Sequence, residues 1–557
     1  MKVLLTTLNA RYIHKSLALR WLYVARDKKH ETILKEFTIN DNLENIVDSI
    51  VRINPDLIGF SCYIWNGRQT LKLAEKIKEK LKEVEIVLGG PEVSYQYEDY
   101  LTEDIDGILL GEGEITFWQY VNKKKLIRGL VTHEYVNNDR PKTDIAYLET
   151  LESPYLLDFD LADMSKRYLY LETSRGCPYK CKYCMASLDN EIREFSIDYL
   201  FDLFDRLEKT DVRQIKFLDR TFNANKKRSL LIARRLLAFK DDVVFQFEVM
   251  ADTLSEELID LVCTNKVKSK FRFEVGIQSF NRDTLKAVKR YRNTEKMLSN
   301  IEELVENNIV VHADLIAGLP KEDLTSFKET YQRLFSLKVA EMQIGILKLL
   351  KGTALKDEME KYGIVADENP PYQIISNNIF SFEDVKKVEM AALATERLWN
   401  RNICRRTLWY MYERTDSMFD FMLILGKKIN LLRKPYQRHH LFKIVYESIR
   451  EEKGRLILLN EYYLLFRQRP VRIVENSIDK KLKAKIFKTV IKQGLLTQND
   501  IRYAYFDEGI FKGQKCYQML IYNSDQKYPE RYFISLNFVY LGKEDLNERC
   551  NDCHWQQ

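Results

Sequence analysis

The sequence lacks the features that mark membrane-spanning and secreted proteins. No stretch approaches the ~18 consecutive apolar residues of a transmembrane helix. The apolar run after Met1 is brief and is interrupted at Asn9 and Arg11, so it does not fit a secretory signal. Nine cysteines in 557 residues do not indicate a disulfide framework, and a cluster among them is typical of metal binding or catalysis. We therefore expect a cytoplasmic protein with no membrane segment.

Low-complexity tracts are also absent. Apolar residues make up 45% of the chain and aromatic residues 12%, which excludes disorder as its main state. A chain of 557 residues is too long for one ordinary hydrophobic core. We therefore expect about three domains.

Charge is distributed unevenly along the chain. Residues 381–557 contain 32 lysines and arginines against 22 acidic residues, a net charge of +10, whereas residues 1–380 carry −4. Such an excess is typical of a face that binds a polyanion such as tRNA, but basic solvated helices produce the same counts. The basic stretches are Lys427-Lys428, Arg433-Lys434, Arg438-His439-His440 and residues 480–492.

Short apolar runs alternate with helical periodicity over the first 110 residues. Residues 71–81, for example, have apolar positions at helical spacing. This alternation predicts a βαβα order and a parallel sheet, which is a cofactor-binding architecture. The predicted strands are residues 2–6, 33–38, 57–61, 86–88 and 108–110.

Polar or glycine-containing loops follow four of these strands, at residues 9–14, 61–66, 89–92 and 111–114. Ligands of parallel sheets lie at the carboxyl ends of the strands, where these loops converge. The glycines of residues 89–92 permit close approach of a ligand, although ordinary turns also use glycine. No G-x-G-x-x-G follows the first strand, which argues against a nicotinamide cofactor. The predicted cofactor-binding residues here are Asn9, Tyr12, Ser61, Gly89, Gly90, Glu92, Gly111 and Glu112.

Residues 2–121 resemble the cobalamin-binding domain found ahead of some radical enzymes. The resemblance lies in the segments Leu-Asn-Ala-Arg-Tyr at 8–12, Leu-Gly-Gly-Pro-Glu at 88–92 and Gly-Glu-Gly-Glu at 111–114. It implies a cobalamin cofactor. The Asp-x-His-x-x-Gly ligand motif is missing around His14, so no protein histidine ligand to cobalt is predicted.

The strongest pattern in the chain is Cys177, Cys181 and Cys184 at C-x₃-C-x₂-C spacing. Thiolates are preferred ligands of iron–sulfur clusters, and three of them leave one iron of a four-iron cluster open. A structural zinc site needs a fourth nearby ligand, and none follows before Cys263 and His312. The spacing therefore predicts a [4Fe-4S] cluster.

This motif, with Tyr183 just before the third cysteine, is similar to that of the radical S-adenosylmethionine (SAM) superfamily. The resemblance implies that SAM chelates the open iron and is cleaved by one electron to a 5′-deoxyadenosyl radical. The protein then holds and shields its cofactors. A flavodoxin- or ferredoxin-type protein is the expected electron donor.

The following region fits the partial (β/α)₆ barrel of that superfamily. Each predicted strand ends in polar residues, which is where parallel barrels build their active sites. The predicted strands are residues 167–173, 214–218, 243–250, 271–277, 309–316 and 341–347. The polar residues at their ends include Asp219, Arg220, Asp252, Gln278, Ser279, Asp314 and Lys348.

Residues 217–223, 274–279 and 314–320 resemble motifs of cobalamin-dependent radical enzymes and their coproporphyrinogen-oxidase-like relatives. The resemblance implies that Glu274, Gln278 and Asp314 lie along SAM. Strand residues satisfied within the barrel are the alternative. Asp219 and Arg220 either bind a cofactor or form a pair that shapes the cobalamin or substrate face.

The C-terminal part is less distinctive. The only Pro-Pro, at 370–371, suggests a domain edge, residues 380–500 have helical periodicity, and 503–506 and 531–540 look strand-like. This part resembles a C-terminal extension of unassigned function in some cobalamin-dependent radical proteins. A group of aromatic and arginine side chains has two interpretations: they stack on a nucleotide and neutralise it, or they form the hydrophobic core and its rim. These residues are Trp399, Arg401, Arg405, Arg406, Trp409, Tyr410 and Tyr412.

The remaining cysteines are expected to have structural roles. Cys550, Cys553 and His554 match a haem-attachment string, but a disordered tail, or failing that an auxiliary metal site, fits the context better. Packing is expected for Cys62, Cys263, Cys404 and Cys516.

Together the resemblances imply an α/β protein with a Rossmann-like cobalamin-binding domain at 1–125, a linker at 126–165, a radical SAM barrel at 166–365 and a mainly helical accessory domain at 366–557. They imply radical methylation of an unactivated carbon. The acceptor is a small metabolite, a lipid-like precursor or a modified tRNA nucleoside reached through the basic C-terminal region. The alternatives are radical rearrangement, reduction or ring formation without methyl transfer, and a non-enzymatic cobalamin-responsive protein, which the three cysteines disfavour.

Overall fold

The computed structural model describes residues 1–466, 473, 478–494, 504–512, 514–521, 530–537 and 539–545. The chain divides into two compact units. Unit 1 contains Met1–Ser326 and Ile346–Val385, and unit 2 contains Phe327–Gly345 and Lys386–Gln557. These units are coarser than the four segments predicted from the sequence, whose boundaries stay a prediction.

The first sheet of unit 1 has the strand order β2-β1-β3-β4-β5-β6. Its first five strands pair in parallel, and β6 pairs antiparallel with β5. The strands are β1 (Lys2–Asn9), β2 (Glu31–Thr38), β3 (Leu57–Ser61), β4 (Glu85–Gly89), β5 (Gly107–Leu109) and β6 (Leu130–Val131). The helices are α1 (Leu17–Val24), α2 (Leu43–Ile53), α3 (Gly67–Lys80), α4 (Thr116–Val121), α5 (Ile145–Glu149) and α6 (Asp158–Leu161).

This sheet is buried on both faces, as its continuous apolar strands predict. Leu4 and Leu8 of β1 belong to one core cluster, whereas Val3 and Leu5 belong to the cluster on the opposite face. The alternation of side chains along a strand accounts for this division. The five predicted strands of the doubly wound domain are confirmed.

The second sheet of unit 1 has the strand order β13-β12-β11-β10-β7, and these five strands pair in parallel. They are β7 (Leu169–Leu171), β10 (Gln214–Phe217), β11 (Val244–Val249), β12 (Phe271–Gln278) and β13 (Val310–Ala317). Strand β14 (Glu341–Ile346) follows them in the chain. The short strands β8 (Ser174–Arg175) and β9 (Arg193–Glu194), and β15 (Val365–Ala366) and β16 (Ile374–Ser376), form two antiparallel pairs.

Helices connect the strands of this second sheet, so the predicted barrel pattern is confirmed. They are α7 (Ile197–Leu207), α8 (Lys226–Leu236), α9 (Glu256–Thr264), α10 (Arg282–Ala287), α11 (Thr294–Glu306) and α12 (Leu324–Ser336), and α13 (Ala354–Asp357) follows the last strand.

Buried and half-buried positions alternate strictly along β11, β12 and β13. The buried positions are apolar, for example Phe245 and Phe247, whereas the half-buried positions are mostly polar, for example Gln246 and Glu248. One face of the sheet therefore packs in the core, and the other presents polar side chains.

Unit 2 is mainly helical and ends in a four-stranded antiparallel sheet of order β17-β18-β19-β20. Its helices are α14 (Phe382–Ala394), α15 (Arg405–Tyr412), α16 (Met418–Asn430), α17 (Arg438–Ser448), α18 (Glu452–Phe466) and α19 (Lys480–Lys492). Its last strands are β17 (Ala504–Phe511), β18 (Gln514–Ile521), β19 (Glu530–Ser535) and β20 (Tyr540–Asp545).

The predicted C-terminal metal alternative, Cys550, Cys553 and His554, lies outside the described residues. None of the helices within the described residues has the length and apolar character needed to cross a membrane.

Candidate active site

The three predicted cluster ligands share one loop. We call residues 176–192 the cysteine loop. Strands β8 and β9 close it by antiparallel pairing of Ser174 with Glu194 and of Arg175 with Arg193. Within the loop, the Cys177 amide donates to the Asp189 carbonyl at 2.8 Å. The two strands thus hold the two ends of the cysteine loop close together.

The cysteine sulfurs lie in a largely buried, cationic environment. Cys177 and Cys181 are buried, and Arg290 Nη1 donates to Cys181 Sγ at 3.3 Å. Arg290 Nη2 also donates to the Gly276 carbonyl at 2.6 Å, which holds the guanidinium in place. A neighbouring cation favours the thiolate form that binds iron, whereas burial raises the pKa of Cys184.

No three His, Cys, Asp or Glu side chains among the described residues converge closely enough to hold a single metal ion. A four-iron cluster places a different requirement on the loop, because each thiolate binds its own iron. The packing of Cys181 and Tyr183 against buried apolar residues of unit 1 limits access of water to the loop.

Polar atoms without hydrogen-bond partners are buried around this loop. Tyr183 Oη, Gln278 Oε1 and the Nε atoms of Arg290 and Arg292 have no partner among the described residues. Gln278 adopts a positive φ of 70°, which is rare for a residue with a side chain. Buried polar groups are nearly always hydrogen-bonded, so these atoms fit a site that a polar ligand completes.

The polar face of the second sheet joins two of the predicted SAM residues. Parallel register places Glu274 of β12 beside His312 of β13, whose Nε2 lies 3.2 Å from Asp314 Oδ1. Glu274 also accepts a hydrogen bond from Gln246 of β11. Glu274 and Asp314 therefore lie on one continuous polar surface.

Glu248 belongs to the same surface and was not predicted from the sequence. It lies in register with Glu274, and burial raises its pKa to about 7. Neighbouring carboxylates raise that pKa further, whereas Arg220 lowers it. The alternation Phe245-Gln246-Phe247-Glu248 was the signal that could have identified this residue.

Asp219 has a different environment from the other predicted carboxylates. It is fully buried, and it accepts hydrogen bonds from the Thr173 amide at 2.9 Å and from the Thr173 and Ser174 hydroxyls at 2.6 Å. Asp219 therefore fixes the segment between β7 and the cysteine loop. Lys348, by contrast, is exposed beyond the end of β14.

Exposed aromatic rings lie beyond two strands of the first sheet. Tyr12 is 63% exposed after β1, and Trp65 is 47% exposed after β3 and stacks on Tyr63 at 4.5 Å. The predicted Asn9 is instead buried, and its amide donates to Glu36 Oε1 at 3.0 Å. The rings provide flat apolar surfaces at the edge where a planar cofactor is predicted.

The glycines of this edge differ in their surroundings. Gly90 has a φ of +105°, and a Cβ there would lie 2.6 Å from the Cys62 carbonyl oxygen. Gly111 has a φ of +75°, and a Cβ there would lie 2.7 Å from the Pro141 carbonyl oxygen. A Cβ at Gly89 would meet only the Leu109 carbonyl, at 3.7 Å, so this position is open. The neighbouring Ser61 is buried and accepts a hydrogen bond at its carbonyl.

Glu92 connects the first sheet to the C-terminal segment of unit 1. Its carboxylate accepts a hydrogen bond from Tyr100 Oη at 2.7 Å and another from the Tyr372 hydroxyl. Nearby, Lys351 pairs with Asp99 at 2.7 Å. These contacts hold residues from distant parts of the sequence together.

Glu112 connects the first sheet to the cysteine loop. Its carboxylate contacts Arg175 Nη1 at 2.8 Å and Arg193 Nη2 at 2.5 Å. Arg175 also contacts Glu114 at 2.7 Å and Glu172 at 2.8 Å. We call these five side chains the loop clamp. The two arginines are the residues paired in β8 and β9, and neither was predicted from the sequence as a site residue.

Replacing Gly176 with alanine is expected to reduce the iron bound after reconstitution. Gly176 has a φ of +88°, and a Cβ there would overlap the Glu191 carbonyl on the opposite side of the cysteine loop. The loop must therefore open to accept it. Iron and sulfide content per chain, together with visible absorption, measures the effect.

Gly494→Ala is the matched control for this substitution. Gly494 also has a positive φ, of +67°, but no described atom lies within 4 Å of its added Cβ. The control carries the backbone strain without the overlap. Equal iron content in the two variants would show that the overlap does not matter.

Comparison with known proteins identifies the same parts of the chain. Residues 3–121 match the B12 binding domain family, residues 171–334 match the radical SAM superfamily, and residues 360–521 match a family described as a protein of unknown function, DUF4080. These matches confirm the two cofactor domains predicted from the sequence and the cofactors that they imply.

The name of a curated relative refers to both cofactors. The chain is 27% identical over 354 residues to the cobalamin-dependent radical SAM methyltransferase TokK of Streptomyces tokunonensis. The alignment covers 58% of this chain and 51% of that protein, so the chain spans about half the length of this relative.

Two solved structures share the fold. OxsB, a cobalamin-dependent SAM radical enzyme with aqua-cobalamin bound, matches with a TM-score of 0.59 at 16% identity, covering 89% of this chain and 76% of that one. TsrM of Kitasatospora setae, a radical SAM methyltransferase with cobalamin and a [4Fe-4S] cluster bound, matches with a TM-score of 0.55 at 15% identity, covering 80% and 99%. The chain therefore has a B12-binding domain followed by a radical SAM domain, and it is similar to cobalamin-dependent radical SAM proteins.

Proposed function

We propose that this protein is a cobalamin-dependent radical SAM methyltransferase that methylates an unactivated carbon. The observation that carries the proposal is the loop clamp, in which Glu112 of the predicted cobalamin edge binds Arg175 and Arg193 at both ends of the cysteine loop. The clamp keeps two predicted cofactor sites next to each other within unit 1. Methyl transfer to a carbon radical needs such proximity, because the methyl donor must reach the carbon before the radical is lost.

In this proposal Cys177, Cys181 and Cys184 hold the cluster. Arg290 stabilises the thiolate of Cys181 through its hydrogen bond. Tyr183 Oη and Gln278 Oε1, which are buried without a hydrogen-bond partner, form hydrogen bonds with SAM. When bound, the cluster would supply one electron to cleave SAM, and cobalamin would supply the methyl group, which it receives from a second SAM.

The polar surface of the second sheet orients SAM and the substrate. Glu274 and Asp314 accept hydrogen bonds from SAM ribose or ammonium groups. Glu248, with its raised pKa, faces the substrate as a carboxyl group that either donates or accepts a hydrogen bond near neutral pH.

The remaining cofactor residues lie at the edge of the first sheet. The exposed rings of Tyr12 and Trp65 pack on cobalamin, and the open position at Gly89 lets the corrin approach the backbone. Asn9, Ser61, Glu92 and Gly111 shape this edge through their buried contacts. Asp219 holds the entry to the cysteine loop, and Lys348 contributes to cofactor binding from its exposed position beyond β14.

Methylation fits the two cofactors better than polar chemistry does. An sp³ carbon without an acidic proton cannot act as a nucleophile, so hydrogen abstraction must precede methyl transfer. The acceptor is a small metabolite, a lipid-like precursor or a modified tRNA nucleoside. A flavodoxin- or ferredoxin-type protein is the proposed electron donor. Rearrangement, reduction or ring formation without methyl transfer is the alternative outcome of the same hydrogen abstraction.

Anaerobic reconstitution tests the proposal. The protein is loaded with iron, sulfide and cobalamin, reduced, and incubated with SAM and either total tRNA or a metabolite extract. We expect substrate-dependent formation of 5′-deoxyadenosine together with S-adenosylhomocysteine, measured by mass spectrometry. 5′-Deoxyadenosine alone would support the alternative, and the absence of both products from a cluster-loaded protein would contradict the proposal.

A further inference from the structure

Helix α19 carries the densest positive charge in the described part of unit 2. Six of its 13 residues are lysines, and none is acidic. Its N-cap Asp479 is used locally, because the side chain accepts a hydrogen bond from the Leu482 amide. Residues 480–492 themselves therefore offer these lysines no acidic side chain to pair with.

Four of the lysines share one face of the helix. Lys481, Lys485, Lys488 and Lys492 are exposed and follow one another at intervals of four, three and four residues. Residues at this spacing are neighbours on a helix surface. We call these four residues the lysine face. It rises about 16 Å along the helix axis.

The opposite side of α19 packs in the core of unit 2. Ile486 and Val490 are buried together with Met519 of β18 and with Tyr532 and Ile534 of β19. This packing fixes the orientation of the helix, so the lysine face points to solvent.

The charge arrangement does not stabilise the helix itself. Like charges at these spacings repel one another, and lysines in the first turn oppose the helix dipole, although Lys492 in the last turn interacts favourably with it. Within the described residues, Lys481, Lys488 and Lys492 have no ion-pair partner. A face that costs stability and is held outward has the properties of a polyanion-binding surface.

We propose that the lysine face docks the phosphate backbone of a structured RNA. A nucleic-acid duplex carries one negative charge per about 1.7 Å, so a face of this length spans several phosphates. A membrane surface fits less well, because a membrane-binding helix needs large apolar side chains beside its lysines. In α19, Leu482, Ile486, Phe487 and Val490 instead pack in the core.

The choice of RNA over DNA rests on the proposed function. A radical enzyme must bring one substrate group to its cofactors. Folded RNA presents unpaired bases in loops, whereas duplex DNA first requires a base to be flipped out. The phosphate docking itself depends only on unit 2, so it can fail without affecting the proposed reaction.

Binding of labelled total tRNA to the full-length protein tests this inference. Fluorescence anisotropy is measured between about 50 and 200 mM salt, where counterion release dominates the affinity. The variant replaces Lys481, Lys485, Lys488 and Lys492 with glutamine, which keeps helix propensity. We expect binding at the lowest salt to weaken at least about tenfold and the slope of log K against log salt to fall by about 3.

Two control variants keep the test decisive. The first replaces Lys72, Lys82, Lys124 and Lys125, which are exposed lysines of unit 1, with glutamine and removes the same charge elsewhere. It should retain binding. The second changes the four lysines of the lysine face to arginine and should retain binding if the positive charge is what matters. Circular dichroism checks that each variant is folded.

Several outcomes would overturn the inference. These are no binding of tRNA by the unchanged protein, equal losses in the two glutamine variants, and binding to a duplex DNA as tight as to tRNA. Tighter binding to phosphatidylserine vesicles than to tRNA would also overturn it. Iron and sulfide content and visible absorption after reconstitution should be the same in every variant, which separates this surface from the active site.

Discussion

Replacing Cys177, Cys181 and Cys184 together with alanine is expected to abolish both the iron–sulfur absorption and the formation of 5′-deoxyadenosine. Without the three thiolates the cysteine loop has no ligands for a cluster, and the electron that cleaves SAM has no carrier. Activity should fall below detection. The measurements are iron content, visible absorption and mass spectrometry of SAM products under anaerobic reduction.

Cys263→Ala is the matched control for this variant. Cys263 is half-buried on α9 and, like the three loop cysteines, has a thiol that is not in a disulfide. The control should keep the cluster and the product. Persistent SAM cleavage in the triple variant, or equal loss in the control, would contradict the assignment of the cluster to the cysteine loop.

Replacing Arg175 with methionine is expected to destabilise the protein by about 3–5 kcal/mol, because the change leaves buried carboxylates without their shared cation. Arg175 contacts Glu112, Glu114 and Glu172, and all four side chains are mostly buried. Burial already raises the pKa of Glu172, and Arg175 opposes that rise, so its loss should raise the pKa further. Urea unfolding followed by circular dichroism measures the change.

Arg128→Met controls for the loss of an arginine ion pair. Arg128 contacts Asp139 at 3.0 Å, but both side chains are exposed, so its removal should cost less than about 1 kcal/mol. The Arg175 variant should also bind less iron, since Arg175 directly precedes the cysteine loop. Equal stability of the two variants would show that the loop clamp does not stabilise the fold.

The strands of both sheets could be predicted because their information is local. In β11, alternating aromatic and polar residues specify one buried and one polar face without reference to any other segment. The cysteine spacing is equally local. Glu248 was accessible by the same alternation, although it lies within the strand and not in the loop that follows it.

The partners of the predicted carboxylates could not be predicted. The loops containing Glu92 and Glu112 were identified, yet Tyr372 lies 280 residues from Glu92, and Arg175 lies 63 residues from Glu112. Nothing in the local pattern specifies such pairs, because they depend on how two domains meet. Several residues expected to bind a cofactor therefore also hold the framework around it.

The contact between Glu92 and Tyr372 also bears on how the chain is made. At synthesis rates of roughly 5–20 residues per second, about 14 to 56 seconds separate Glu92 from its second donor on the ribosome. During that time the first sheet can fold with the Tyr100 hydroxyl already donating to Glu92. The nascent domain thus leaves the exit tunnel with one of these two hydrogen bonds to Glu92 formed. The second forms only after Tyr372 has also left the tunnel.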